Sequence, residues 1–177
     1  MRKITQLAAL GSLLTLPLLS GAAQVDDTFQ VRINLQASCT IDGTTDMDFG
    51  DATEAEVIAG TVAEATSTVD VTCSNGAAYT VGMDNGANFG SGTAGQRAMK
   101  SANSSFISYN LYQSTGTSTP WGDIGSGDEL SDTGDGTSKT LTIFGTVPAQ
   151  TPTIDPADNI TSGGVALTDT VTVTVDF

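Results

Sequence analysis

The sequence predicts an all-β sandwich that is one strand short of complete. Three observations carry the prediction. Several short segments alternate strictly between apolar and polar residues, the period of a strand with one buried face. Clusters of Gly, Asn, Asp and Ser punctuate them at the spacing of turns. After the first 23 residues no segment keeps a helical period with caps at its ends.

Taken in order, Met1-Arg2-Lys3 precedes an apolar run from Leu7 to Leu19 and then Gly21-Ala22-Ala23. A charged, then apolar, then small-residue order is that of a secretory leader, so residues 1–23 read as a signal peptide that is cleaved on export. A membrane anchor needs about 20 apolar residues. This run is shorter and carries Pro17, so no transmembrane anchor is expected.

Residues 24–37 read as an N-terminal arm. Within Thr28 to Ile41, Phe29, Val31, Ile33, Leu35 and Ala37 are apolar while Gln30, Arg32, Asn34, Gln36 and Ser38 are polar. That pattern predicts a strand with one apolar row. A terminal strand with an uncovered row must pair with something.

Residues 38–177 read as one domain. An acidic, turn-rich stretch with Met47 and Phe49 as an apolar pair leads to a strand ending at Cys73, on which Val69, Val71 and Cys73 share a face. Tyr79, Val81 and Met83 mark the next strand, and Ala87 to Gln96 a small-residue loop. Phe106 to Tyr112 alternates on both faces and reads as a central strand. Gln113 to Lys139 reads as a surface excursion pinned by the lone Trp121. Leu141 to Thr146 is another strand. After Pro148, Pro152 and Pro156 the last strand runs from Thr168 to Phe177, with Val171, Val173, Val175 and Phe177 as its apolar row. The body thus counts about six strands against the seven of an immunoglobulin sandwich. A missing strand leaves a groove. The arm is a spare strand that fits either its own groove or a neighbour's.

The chain carries six basic and 20 acidic side chains. Cleavage after Ala23 removes Arg2 and Lys3 and no acid, leaving a net charge near −16. Such a balance excludes nucleic acid and anionic membrane surfaces as partners and suits solubility outside the cell. Cys39 and Cys73 are the two cysteines. In an exported chain they read as a disulfide. With no histidine anywhere, they do not make a structural zinc shell, and no metal is expected.

Other motifs reduce to loop chemistry. Gly90-Ser91-Gly92-Thr93-Ala94-Gly95 spells a dinucleotide-binding pattern but lacks the following helix that aims amides at a pyrophosphate. Asp42, Asp46, Asp48 and Asp51, and Asp128, Glu129, Asp132 and Asp135, are acidic groups without calcium-loop spacing. Asn103-Ser104-Ser105 and Asn159-Ile160-Thr161 fit the glycosylation triplet. Without histidine a Ser-His-Asp or Cys-His device is impossible. The separation that a carboxylate pair needs for glycoside hydrolysis is spatial and is not written in the sequence, but nothing favours an enzyme, and no catalytic residue or cofactor is expected. Trp121, Tyr109 and Tyr112 read as packing residues ahead of a sugar-stacking platform.

The order of features resembles the spore-coat-U family of secreted proteins, which includes subunits of archaic chaperone-usher pili of the Csu type. The likeness rests on the alternating arm running into Ala37-Ser38-Cys39-Thr40-Ile41, on Met47-Asp48-Phe49-Gly50, and on Val69 to Gly76. It continues through Arg97 and Met99, Tyr109-Asn110-Leu111-Tyr112, Trp121-Gly122-Asp123, Phe144-Gly145, Pro148-Ala149-Gln150 and Asp169 to Val175. The family usually reads Pro-x-Gly-Gln where this chain has Pro148-Ala149-Gln150, and residues 151–164 make a long loop.

The resemblance implies an incomplete immunoglobulin-like pilin. Such a subunit is held by a periplasmic chaperone, passed to an outer-membrane usher, and polymerised with neighbouring copies or related pilin subunits by donor-strand exchange. Phe29, Val31, Ile33, Leu35 and Ala37 would then be the donor row. Val171, Val173, Val175 and Phe177 would be the groove edge that the chaperone grips. With room for one domain the chain reads as a shaft or adaptor subunit, passing through the periplasm to a surface fibre for adhesion and biofilm formation. The rival reading is a secreted monomeric binding protein, for a glycan or a surface, with the arm folded into its own groove.

Overall fold

The computed structural model describes residues 21, 23–117, 119–161 and 163–177. The leader expected over residues 1–23 lies outside the described residues except for Gly21 and Ala23. The chain divides into two units, one ending at Asn34 and the other running Leu35–Phe177.

In the first unit the described residues form no helix or strand. Phe29, Val31 and Ile33 are 84–90% exposed. The strand expected from Thr28 has no ladder partner among the described residues, and regular pairing starts at Cys39. A strand is defined by its ladder, and alternation supplies a face but no partner.

Among the described residues of the second unit there are eight strands: β1 (Cys39–Thr44), β2 (Ala65–Cys73), β3 (Ala78–Met83), β4 (Arg97–Lys100), β5 (Phe106–Tyr112), β6 (Leu130–Thr133), β7 (Ser138–Thr146) and β8 (Val173–Asp176). The count of about six is corrected to eight. β4 and β6 are four residues each, too short for alternation to stand out, and β6 lies inside the stretch read as a surface excursion. All pairings are antiparallel and build two sheets, β1-β2-β7-β5-β4 and β6-β3-β8.

One helix was not expected, α1 (Glu54–Ala59). The Thr53 hydroxyl accepts from the Glu56 amide at 3.2 Å, and the Glu56 carboxylate accepts from the Thr53 amide at 2.7 Å, a reciprocal capping box. Gly60, with φ 65°, ends the helix. Six residues are under two turns, so periodicity is silent there and the caps were the readable signal.

Between the sheets lies one core. Val69, Val71 and Cys73 of β2, Tyr109 and Leu111 of β5, and Leu141 and Ile143 of β7 meet Tyr79, Val81 and Met83 of β3. Trp121 is buried and donates its indole N–H to the Val81 carbonyl at 2.8 Å, which pins the excursion as the sequence suggests. A side chain at Gly145 of β7 would collide with Met47 and Phe49, so the glycine makes room for that apolar pair. Phe49 then meets Tyr109 edge-on at 6.3 Å between centroids.

Six of the eight strands follow the order of an immunoglobulin sandwich, with β4 and β6 added at the sheet edges. β1, β2, β7 and β5 take the places of strands A, B, E and D, while β3 and β8 take those of C and F. Among the described residues no strand lies beyond β8, where strand G belongs.

Candidate functional site

The last strand sits at that open edge, and its burial differs from that of the strand it pairs with. Val173 lies opposite Met83 and Val175 opposite Val81. The β3 residues are fully buried, whereas Val171, Val173 and Val175 touch the same core and stay half-buried; Phe177 is 60% exposed. Thr170, Thr172, Thr174 and Asp176 form the outer, exposed row.

The edge of the other sheet repeats the pattern. Ile41 of β1 lies opposite Val71 of β2 and so faces the same interior. Val71 is 1% exposed and Ile41 is 42% exposed. β1 and β8 come into contact with each other across the two sheets. Cover is therefore thin along both margins of one gap, and the two edge strands offer apolar side chains and unpaired backbone to it. A strand with an apolar row fits such a gap, with main-chain hydrogen bonds along the edge and side chains into the interior.

The margins are held from behind. Cys39 and Cys73 are paired in register across β1 and β2 and joined by a disulfide. The approach to β8 is tied by side chains. The Thr172 amide donates to the Asp84 carboxylate at 2.9 Å, and the Asp84 amide donates to the Thr172 carbonyl at 3.0 Å. Asp169 accepts from the Tyr109 hydroxyl at 2.8 Å and from the Asn88 side-chain amide at 3.0 Å. A side chain at Gly86 would collide with Asp169, so only glycine fits beside that carboxylate.

Arg97 lies beneath this tie. Its guanidinium donates to the carbonyls of Met83 at 2.8 Å, Asp84 at 2.8 Å and Trp121 at 3.0 Å. Burial lowers its pKa from the usual guanidinium value, which the nearby Tyr109, Asp84 and Asp169 oppose. Burial and the Asp169 hydrogen bond push the Tyr109 hydroxyl far up, so it remains a donor at any working pH.

Other sequence-stated candidates have local partners. Asp42 accepts from Thr72 at 2.5 Å and Thr40 at 2.9 Å, hydrogen bonds that hold its carboxyl below the ordinary value. Glu129 accepts from the Gly127 amide, Asp135 from Thr137, and Asp132 from Tyr79 and Lys139. The run from Gly90 to Gly95 forms turns and leads into β4 and not into a helix. Among the described residues no cluster of His, Cys, Asp and Glu is arranged to hold a metal, and no helix is long and apolar enough to cross a membrane.

Ile41 is the margin residue that sequence reading missed as such. Its signal was its spacing of two from Cys39, which put it on the disulfide's face. Ala37 is exposed, as is Leu35.

A family model described as the Spore Coat Protein U domain matches residues 25–174. No curated protein matches the sequence. Among similar solved structures is the crystal structure of a CsuC-CsuE chaperone-tip adhesion subunit pre-assembly complex from archaic chaperone-usher Csu pili of Acinetobacter baumannii. The TM-score is 0.53 at 23% identity, over 80% of this chain and 40% of that one. The present chain thus spans well under half of that chain's length, and the likeness is one of fold.

Proposed function

The chain belongs to the Spore Coat Protein U domain family, and on that premise we propose that it is a structural subunit of a surface pilus assembled by the chaperone-usher route. Residues 24–37 are the donor arm and 38–177 the pilin domain, exported behind a leader over 1–23. The arm row of Phe29, Val31, Ile33, Leu35 and Ala37 enters the gap beside β8 of a neighbouring subunit. Before that, Val171, Val173, Val175 and Phe177 are held by a periplasmic chaperone, and an outer-membrane usher hands the subunit on. The fibre serves adhesion and biofilm formation.

The observation that carries this reading is the coincidence of an exposed apolar row with a sandwich lacking strand G. Burying Phe29, Val31, Ile33 and Leu35 is worth about 1.5 to 3 kcal/mol each, or roughly 6 to 12 kcal/mol before ordering costs. That is comparable to the whole stability of a small domain. A head-to-tail contact of this kind does not close on itself, so it propagates a filament. Surface-sheared material run on electrophoresis without boiling should give a ladder that collapses to one band when boiled. A single band of monomer before boiling would favour a secreted binding protein instead.

A further inference from the structure

Fibre formation requires that the arm enter the gap in one direction and one register, and the charges of this chain choose both. Between Thr28 and Ser38 the one charged residue is Arg32. Its guanidinium donates to the Gln30 side chain within the arm, whereas the other basic side chains of the described residues are engaged within the domain. Arg97 is buried on three carbonyls, Lys139 pairs with Asp132, and Lys100 lies 5.7 Å from the centre of the Phe106 ring. Along β8 and the residues leading into it, the outer row of Thr170, Thr172, Thr174 and Asp176 also carries one charge, and Asp176 is exposed. It borders a shallow hollow with Thr80, Phe177 and Asp132, the last already paired with Lys139, which leaves Asp176, among the described residues, as the carboxylate there without a cation.

Resting on the donor-strand reading above, we propose that Arg32 of one copy pairs with Asp176 of a second copy. This pair sets the arm antiparallel to β8, with the two residues directly opposite. In antiparallel strands opposite residues share a face, so the assignment can be checked position by position. It sets Val31 against Phe177, Ile33 against Val175, Leu35 against Val173 and Ala37 against Val171, and leaves Phe29 with no described residue opposite it. On the outer face Asn34 and Gln36 meet Thr174 and Thr172, while Ser38 stays on its own domain, its carbonyl accepting from the Ser74 amide at 2.9 Å.

The alternatives fail on named residues. Running the arm parallel while keeping Arg32 opposite Asp176 puts Asp27 against Val171 inside the gap. An unpaired carboxylate there is costly. Keeping the antiparallel direction but sliding by two gains Phe29 against Phe177 but sets Ala37 against Asp169, whose carboxylate is already held by Tyr109 and Asn88, and moves Arg32 from directly opposite Asp176 to the weaker diagonal position. A slide by one turns the apolar row outward.

Directly opposite residues bring their Cβ atoms to about 4.5 to 5.5 Å. The full-length chain carrying Arg32→Cys with Asp176→Cys, assembled and then oxidised, should therefore give a covalent ladder that survives boiling without reductant. Arg32→Cys with Thr174→Cys should give little. Equal or stronger linkage through Thr174→Cys overturns the register while the unboiled ladder leaves the polymer reading standing. An unboiled ladder with no covalent product from either pair overturns the proposal as well. Loss of the unboiled ladder in the wild type, or covalent linkage confined to monomers, overturns the donor-strand reading itself. As a second measurement, Arg32→Glu should slow assembly about two- to fivefold, the range of a cross-strand charge pair, and adding Asp176→Arg should restore it. Failure of the restoration counts against the pair.

Discussion

Gln150 closes the hydrogen-bond ladder of Ser108. Its side-chain oxygen accepts from the Ser108 amide at 2.8 Å, and its side-chain nitrogen donates to the Ser108 carbonyl at 2.7 Å. The contact falls where β7 has run out. β7 pairs with β5 from Tyr112 to Asn110, and an isolated bridge between Phe106 and Thr153 resumes the ladder further along. The amide of one side chain stands in for the missing stretch of strand. Ser108 is fully buried, so its backbone groups have no water to fall back on.

Gln150→Ala should therefore leave a buried N–H and C=O unpaired and destabilise the domain by about 2 to 4 kcal/mol. Urea unfolding at an unchanged slope is the measurement. A loss below about 1 kcal/mol would mean that the ladder closes without the side chain.

The disulfide should act on the unfolded chain as much as on the folded one. Cys39 and Cys73 are 34 residues apart, a loop for which the chain-entropy account gives about 3 to 4 kcal/mol. Replacing both by alanine should lower stability by that order and loosen β1, one margin of the gap. In the native protein, denatured without reductant, an alkylating reagent should label neither sulfur; labelling of both would contradict the bridge.

What the sequence disclosed and what it hid divide along the range of the interactions. The rows Val69-Val71-Cys73 and Val171-Val173-Val175 were legible because a strand's face is written in its own period. The Cys39 and Cys73 pair was legible because no other pairing exists. Gln150 on Ser108 was not, since it joins residues 42 apart and no local pattern marks it. β4 escaped because Arg97 and Lys100 are charged ends on a four-residue strand whose Arg97 is buried only through carbonyls brought from Met83, Asp84 and Trp121. The open edge was inferred from a strand count that was itself too low. What locates the edge is the pairing order of the sheets, which no single segment encodes.

Acid should weaken the domain, and Asp158 is one identifiable cause. Its carboxylate is buried and accepts from the Ser101 and Ser105 hydroxyls and from the Asn103 amide at 2.8 Å. The hydrogen bonds from Ser101 and Ser105 hold its pKa below the ordinary carboxylate value of 3.8. A folded pKa below the unfolded one gives stability that is present in full above the unfolded pKa and lost as pH falls through the folded one. Asp42, Glu56, Asp132 and Asp135 are shifted in the same direction by their own hydrogen bonds. Stability should then decline below about pH 4. Asp158→Asn should be less stable at neutral pH and lose less on acidification. An acid limb as steep as the wild type's would assign the loss to the other carboxylates.

A donor lesion and an acceptor lesion should complement each other, and only in one way. Ile33 is 90% exposed, so Ile33→Asp removes no burial from the subunit that carries it. Ile41 is 42% exposed at the margin of the gap, and Ile41→Asp places a charge on the wall that an incoming arm must cover. A carboxylate sealed into either side of the joint without a partner costs several kcal/mol, a large share of the roughly 6 to 12 kcal/mol that the arm row offers. Each variant alone should therefore stay monomeric. Mixed, the Ile33→Asp subunit keeps an intact gap and the Ile41→Asp subunit an intact arm, so one joint forms and neither end can extend. The product should be a boil-sensitive dimer with no higher rungs. Ladders from Ile33→Asp alone, equal to wild type, would show that the arm is not the donor. Longer rungs in the mixture would show that the wall at Ile41 is not where the arm is received.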